Sequence, residues 1–408
     1  MNDPLQNQSL TSRNVRIYLD HNATTPPAPV LAARWSELLF VTGNPSSIHN
    51  ESRMPKAWLR ETRQKFANYL NCSPLEIIFN SGASEGNSSI LKSAWQLRNQ
   101  NRNEIIVSQV EHPSVIKTAE HLQAQGAIVH WVPVDRAGLI DLDFIKNKLS
   151  EKTLLVSVMF ANNETGSIFP IKEIAALAHQ AGALMHADCV QLLGKYNLEQ
   201  HPEKLKIFDL DYATFSAHKF YALAGTGVVF IKKNSPWVPL VHGGGQERGR
   251  RGGTENVLGI ASLGIVLDEL KAAKVHVDEM LRLRNLLESS ILARIDGCTI
   301  TAAEGARLAN TSSLVMTNVD GETLLMSLDL KGFSVSTGAA CSSGNPEPSP
   351  VLLAMGLSRI EAQSSLRISL GWQTTEEQII LFVNTLVEVV AKLREINLTG
   401  KDLTHAVS

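Results

Sequence analysis

The 408-residue chain reads as an α/β protein built on a mostly parallel sheet covered by helices. Three observations lead there. Short apolar, β-rich runs alternate with amphipathic stretches of helical period through the first two thirds, which is the pattern of strands joined by helical crossovers. Apolar residues make up 44% of the chain and charged residues 19%, enough to build a buried core and to exclude whole-chain disorder. A glycine-rich stretch at 242–253 then breaks the alternation, so a second, smaller α+β unit is expected after it.

The strand-like runs lie at 76–79, 104–107, 128–132, 154–159, 183–186, 212–216 and 227–231. Helical patterns fill the gaps at 54–71, 84–99, 112–125, 141–149 and 171–181. A long helical region, 257–295, carries Asp268, Glu269, Lys271 and Lys274 in its interior and is expected to link the two units. Shorter strands and loops follow over 298–371, and a final helix is expected over 375–396. The first ~15 and last ~8 residues are expected to be mobile.

Lys and Arg total 38 and Asp and Glu total 40, a formal charge of −2, which argues against a dedicated binder of nucleic acid or anionic membrane. Residues 1–14 are polar and carry no apolar signal core. No apolar run reaches the ~18 residues of a membrane span. The four cysteines, Cys72, Cys189, Cys298 and Cys341, lack metal-finger spacing. No metal is expected, and free thiols in a chain of this size fit a reducing cytoplasm.

A parallel sheet presents ligands beyond the carboxyl ends of its strands, so the residues after each strand carry the interest. Strand 76–79 runs into Asn80-Ser81-Gly82-Ala83-Ser84-Glu85 and then a helix. A Gly/Ser turn at a helix N-terminus offers free N–H groups and partial positive charge to a phosphate. The segment by itself also reads as a plain serine cap. Strand 183–186 leads to Asp188, a carboxylate that is expensive to bury without a partner. Strand 212–216 leads to Lys219, whose amine becomes nucleophilic if the site is partly dry. Taken singly, Asp188 and Lys219 could be a salt bridge at the sheet edge. In order with the helix N-terminus they describe a pyridoxal phosphate site, with Lys219 forming the Schiff base, Asp188 on the ring nitrogen and Ala83–Ser84 on the phosphate. His112 follows strand 104–107 and reads either as a ring-stacking imidazole or as a helix cap. Cys341 sits in Ser336-Thr337-Gly338-Ala339-Ala340-Cys341-Ser342-Ser343-Gly344, a polar run expected to be a mobile loop. A cysteine there suggests a reactive thiol rather than packing. Cys72, Cys298 and Cys189 read as packing residues.

From Tyr18 to about Arg394 the chain resembles the cysteine desulfurases, within the class V aminotransferase group of fold-type I pyridoxal phosphate enzymes. The motifs that carry the resemblance run in order: Tyr18-Leu19-Asp20-His21-Asn22-Ala23-Thr24-Thr25, Gly43-Asn44-Pro45-Ser46-Ser47, Ser81-Gly82-Ala83-Ser84-Glu85, Glu111-His112-Pro113, Asn162-Asn163-Glu164-Thr165-Gly166, His186-Ala187-Asp188-Cys189-Val190-Gln191, Ser216-Ala217-His218-Lys219, Gly243-Gly244-Gly245-Gln246-Glu247, Gly252-Gly253-Thr254 and Ser364-Ser365-Leu366-Arg367-Ile368-Ser369. Three places depart from the family pattern. Ser84 stands where threonine is common, Glu85-Gly86-Asn87 differs from the usual continuation, and Phe220-Tyr221-Ala222-Leu223-Ala224-Gly225 lacks the Gly-Pro-Lys-Gly run often found after the lysine.

The resemblance implies a large domain at 30–263, with a seven-stranded sheet, and a smaller domain formed by 1–29 and 264–408. It implies pyridoxal 5'-phosphate as cofactor, with Ala83, Ser84, Ser216 and His218 on the phosphate and Thr254 supplied across a homodimer. Asp188 would hold the ring nitrogen, Gln191 the ring hydroxyl oxygen, and His112 would stack on the ring and take part in proton transfer as a catalytic residue. Arg367 would clamp the substrate carboxylate, Asn163 would assist at the carboxylate and at the cofactor ring, Lys219 would shuttle the proton, and Cys341 would take sulfur from L-cysteine as a persulfide. The Cys341 loop resembles the longer-loop subgroup, which hands sulfur to an acceptor protein such as an iron–sulfur scaffold or a thiolation enzyme. A selenocysteine lyase, a true aminotransferase and a non-catalytic scaffold of the same fold are the competing expectations.

Overall fold

The computed structural model describes residues 16–201, 204–270, 273–338 and 347–405. Its main sheet has seven strands. In chain order after the short β1 (Ile17–Tyr18) these are β2 (Ile77–Asn80), β3 (Glu104–Ser108), β4 (Ile128–Val132), β5 (Thr153–Ser157), β6 (Leu184–Asp188), β7 (Tyr212–Ser216) and β8 (Gly227–Ile231). Across the sheet they run β2-β8-β7-β6-β5-β3-β4. The pairs from β4 through β7 are parallel, and β8 alone runs against its two neighbours. Every strand read from the sequence is present, within two residues at each end.

These strands are apolar on both faces because helices cover both. Ile106, Val156 and Phe215 pack into one cluster, while Ile105, Val107, Leu155 and Tyr212 pack into another. That alternation is the period of two expected of a pleated strand. The covering helices are α1 (Arg53–Leu70), α2 (Ala83–Gln96), α3 (Pro113–Ala124), α4 (Leu142–Lys148) and α5 (Ile171–Gln180). Their starts follow from local chemistry. His112 accepts from Ser114 N at the head of α3, and Asp141 accepts from Phe144 N at the head of α4.

The expected helical region 257–295 is two helices, α6 (Val257–Glu269) and α7 (Ala273–Leu292). They belong to different surroundings, which no single periodicity could show. Ile260, Leu263 and Val266 of α6 pack with the main sheet, whereas Leu283, Leu287 and Ile291 of α7 pack with a second core. That core lies on an antiparallel sheet of β9 (Cys298–Ile300), β10 (Thr311–Met316) and β12 (Ser365–Ser369), in the order β12-β10-β9. A last strand, β11 (Phe333–Ser334), pairs in parallel with β1. The final helix, α9, runs Glu376–His405, longer than its sequence pattern, and follows α8 (Gly321–Leu330). Ile17 and Leu19 join this second core. Among the described residues no helix is long and apolar enough to cross a membrane.

One buried ion pair ties the glycine-rich stretch to the sheet. Arg63 on α1 grips Glu247 through two contacts, at 2.8 and 2.5 Å, and also donates to Ile77 O. Glu247 further accepts from Phe79 N at 3.0 Å, and its side chain is 2% exposed. Removing one partner of such a pair leaves an uncompensated charge. Arg63→Met is therefore expected to destabilise the protein by about 3–5 kcal/mol, and Arg63→Met with Glu247→Leu to recover much of it. Urea unfolding of the three proteins checks this. Equal midpoints for the single and double variants would contradict it.

Candidate active site

The carboxyl ends of the parallel strands open onto one cavity of about 610 Å³. Chain order reverses between β3 and β5, the switch point where such sheets bind ligands. Ten of the expected site residues line this cavity: Ala83, Ser84, His112, Asn163, Asp188, Gln191, Ser216, His218, Lys219 and Arg367. Thr254 is exposed and lines a neighbouring cavity of about 100 Å³, which shares Ser81 and Gly225 with the first. Cys341 lies outside the described residues, but Gly338, three positions before it, is on the main cavity's wall.

β2 ends at Asn80, and α2 begins at Ala83 after a turn through Gly82 at φ +154°. That backbone is open to glycine and strained for other residues. The first turn of α2 thus faces the cavity with its free N–H groups, and the helix dipole adds positive charge. Ser216 ends β7, and His218 follows it. Burial, reinforced by Lys219 and Lys195, pushes the His218 ring down to about 4, so near neutral pH it acts as an uncharged donor or acceptor.

β6 delivers Asp188. Its two oxygens each accept one hydrogen bond, from Asn87 Nδ2 at 2.7 Å and from Val190 N at 3.0 Å. A carboxylate has room for more, so it can also face a protonated ring nitrogen. β7 and the turn Ala217–Lys219 deliver Lys219, whose Nζ donates to Asn22 O and Ala23 O, both at 2.7 Å. Burial first, then the charge of Arg367, lowers this amine to about 8, with Asp20 and Asp188 opposing. A useful fraction is therefore free base near neutrality.

His112 caps α3 through Nδ1, which accepts from Ser114 N at 3.1 Å. An acceptor nitrogen carries no proton, so the neutral ring bears its hydrogen on Nε2. Burial lowers the ring's pKa, Asp188 raises it, and Lys219 lowers it. Of the two sequence readings of His112 the structure shows the cap, with the residue on the cavity wall.

β12 delivers Arg367. Nη2 binds Asp20 Oδ1 at 2.7 Å, Nη1 binds Asn163 O at 3.2 Å, and Nε is buried with no partner. A planar guanidinium with a donor to spare suits a carboxylate ligand. The backbone of Arg367 also pairs with Ser336 in both directions, at 3.1 and 2.7 Å, which sets the start of the Cys341 segment beside the cavity. The other cysteines are unsuited to nucleophilic chemistry. Burial pushes Cys72 up to about 12, Cys298 up to about 11, and Cys189 well above the ordinary thiol range.

Several residues at this site escaped the sequence reading of roles. Asn87 anchors Asp188. Its signal was its place one helical turn after Ala83, on the face that meets β6. Asp20 pairs with Arg367 across 347 positions. Glu164, held by Ser349, lines the cavity, and burial pushes its carboxyl up to about 7 against the pull of Ser349 and Arg367. Lys195 is buried beside Gln191.

The donor set fits pyridoxal phosphate. A depressed lysine amine, a buried carboxylate with spare lone pairs, a helix N-terminus flanked by Ser216 and His218, and an imidazole share one cavity of suitable size. Residues 17–382 match the class-V aminotransferase family. A cysteine desulfurase of Nostoc sp. is 39% identical over 383 residues, covering 93% of this chain and 94% of its own. Among solved structures, a NifS-like protein superposes with a TM-score of 0.85 at 35% identity, over 92% of this chain and 100% of its own. A structure of SspA in complex with cysteine superposes at 0.76 with 28% identity, over 88% and 99%. Matched along nearly its whole length in sequence and in fold, the chain belongs to the class-V aminotransferase family.

Proposed function

We propose that the chain is a cysteine desulfurase that works with pyridoxal phosphate and converts L-cysteine to L-alanine, leaving the sulfur as a persulfide on Cys341. One observation carries the reading. Lys219, lowered to about 8, shares a cavity with the buried Asp188, the α2 N-terminus and an arginine that keeps one N–H unpartnered. Similarity to the Nostoc desulfurase and to the cysteine complex of SspA supports the substrate.

The bound cofactor supplies an electron sink for the pair left when the substrate loses its Cα proton. The protein supplies the rest. Lys219 would hold the cofactor, and its free amine would take and return that proton. Asp188 keeps the ring nitrogen protonated. Ala83, Ser84, Ser216 and His218 hold the phosphate, with Thr254 added across a homodimer. Gln191 meets the ring hydroxyl oxygen, and His112 lies against the ring. Arg367, assisted by Asn163, orients the substrate carboxylate. The Cys341 thiol takes the substrate sulfur, so that L-cysteine plus one thiol gives L-alanine plus one persulfide. A cytoplasmic homodimer passing sulfur to an iron–sulfur scaffold or a thiolation enzyme completes the proposal, without direct contact to nucleic acid or membrane. Its domains are 30–263 and, together, 1–29 with 264–408, except that Ile265, Val266, Leu267 and Leu270 pack with the first core, which supports a boundary after α6 rather than within it. The packing of Ile17 and Leu19 into the second core supports that pairing of ends.

Incubation with L-cysteine tests this, read for alanine and for the mass of the Cys341 peptide. Cys341→Ser is expected to keep the cofactor's visible colour and to lose alanine formation by at least about two orders of magnitude. Wild-type alanine yield from that variant would refute the role of Cys341.

A further inference from the structure

Among the described residues, a buried cation next to Gln191 has no part in the mechanism. Lys195 is 2% exposed and has no carboxylate within reach of its amine among the described contacts. Its Nζ meets three groups instead: His21 O at 3.2 Å, Asn22 Oδ1 at 3.0 Å and Gln191 Oε1.

The identity of each of these atoms follows from its other contacts. His21 O is a carbonyl. Asn22 turns its Nδ2 to Asn163 O at 3.0 Å and to Thr311 Oγ1 at 2.8 Å, so its oxygen is the atom left for Lys195. Gln191 approaches Asn22 O, an acceptor, at 3.3 Å with its other end. That end must be the amide nitrogen, and the end facing Lys195 must be the oxygen. Three acceptors converge on one amine. Only the ammonium form has three donors. Burial first, then the charges of Lys219 and Arg367, push its pKa well down, and Asp20 pushes it up; the three convergent acceptors are the contacts that favour the ammonium. His21, itself driven down to about 4, adds no charge near neutrality.

We infer that Lys195 is a positioning residue: by binding the Gln191 oxygen it fixes the amide so that an N–H, and not the carbonyl, is presented to the cavity. The inference rests on the function proposed above, in which Gln191 meets the ring hydroxyl oxygen of the cofactor. A glutamine amide turns over at little cost when nothing distinguishes its two ends. Turned over, it would set an oxygen against the ring oxygen and against Asn22 O. Held as it is, its remaining N–H stabilises the deprotonated ring oxygen and makes the covalently held cofactor release its proton more readily. Asn22 O also accepts from Lys219, so the lysine that binds the cofactor and the amide that tunes it share one carbonyl, on a residue whose side-chain oxygen Lys195 holds.

The test is a pH titration of the visible absorption band of purified holoenzyme, for wild type, Lys195→Met, Gln191→Met and the double variant. Removing one hydrogen bond made to a single protonation state is expected to raise the midpoint by about one pH unit in each single variant. The double variant is expected to shift no further than Gln191→Met. Additive shifts would mean that Lys195 acts only as a charge, and unmoved midpoints would mean that it does not act on the cofactor. Either overturns the inference. Gln191→Glu reads the same contact with Lys195 in place. A carboxylate held by the ammonium keeps the thermal midpoint within a few degrees of wild type, and a large fall overturns the inference even if Lys195→Met does not fold. If the wild-type protein shows no visible band and borohydride reduction leaves Lys219 unlabelled, the cofactor reading fails and takes this inference with it. A labelled wild type with unmoved variants defeats the inference alone.

Discussion

Lys219→Ala is expected to lower turnover of L-cysteine by about 10²–10⁴-fold, the usual contribution of a positioned acid–base group, and to abolish borohydride labelling at that position. The physical reason is the rarity of a free-base amine at this spot. Lys219 reaches its neutral form near pH 8 because burial and Arg367 disfavour its charge. Lys195, the other amine nearby, is engaged by three acceptors and is held in place. The same shift makes a pH prediction. Capture of pyridoxal phosphate by cofactor-free protein needs the unprotonated amine. Its rate is expected to climb about tenfold per pH unit below the lysine's pKa, then to level off above about 8. Growth of the visible band after mixing measures it. A profile that keeps rising toward the ordinary lysine range would show that the amine is not depressed.

Asp188→Asn is expected to reduce kcat by about 10²–10³-fold while leaving the fold intact. The carboxylate is 5% exposed and is fixed by Asn87 and by the backbone of Val190, so its charge is delivered to one place. An asparagine has nearly the same shape and can still meet Asn87, but it cannot stabilise a protonated ring nitrogen by charge. Turnover would fall while far-ultraviolet circular dichroism and the thermal midpoint stay near wild type. Activity within about threefold of wild type would remove Asp188 from the mechanism, because such a loss is smaller than one acid–base contribution.

Much of this architecture is local and therefore legible in the chain itself. The seven strands are apolar runs long enough for a sheet covered on both faces, and the helices between them announce themselves by period and by caps such as Asp141. Asp188 and Lys219 stand out because polar residues at the ends of apolar strands require an explanation. The division of 257–295 into α6 and α7 was not visible, since both halves are helical and only their partners differ. Asn87 looked like a departure from a motif until the fold set it against Asp188.

Order along the chain, hydrophobic period and the chemistry of strand ends thus determined the sheet, its ligand edge and the residues that stand there. The tertiary structure alone decided which of those residues meet: Asp20 with Arg367, Asn22 with Lys219, Lys195 with Gln191. Period and propensity act over a few residues. Hydrogen bonds between groups as far as 347 positions apart exist only once the sheets and helices have packed and water has been excluded from between them.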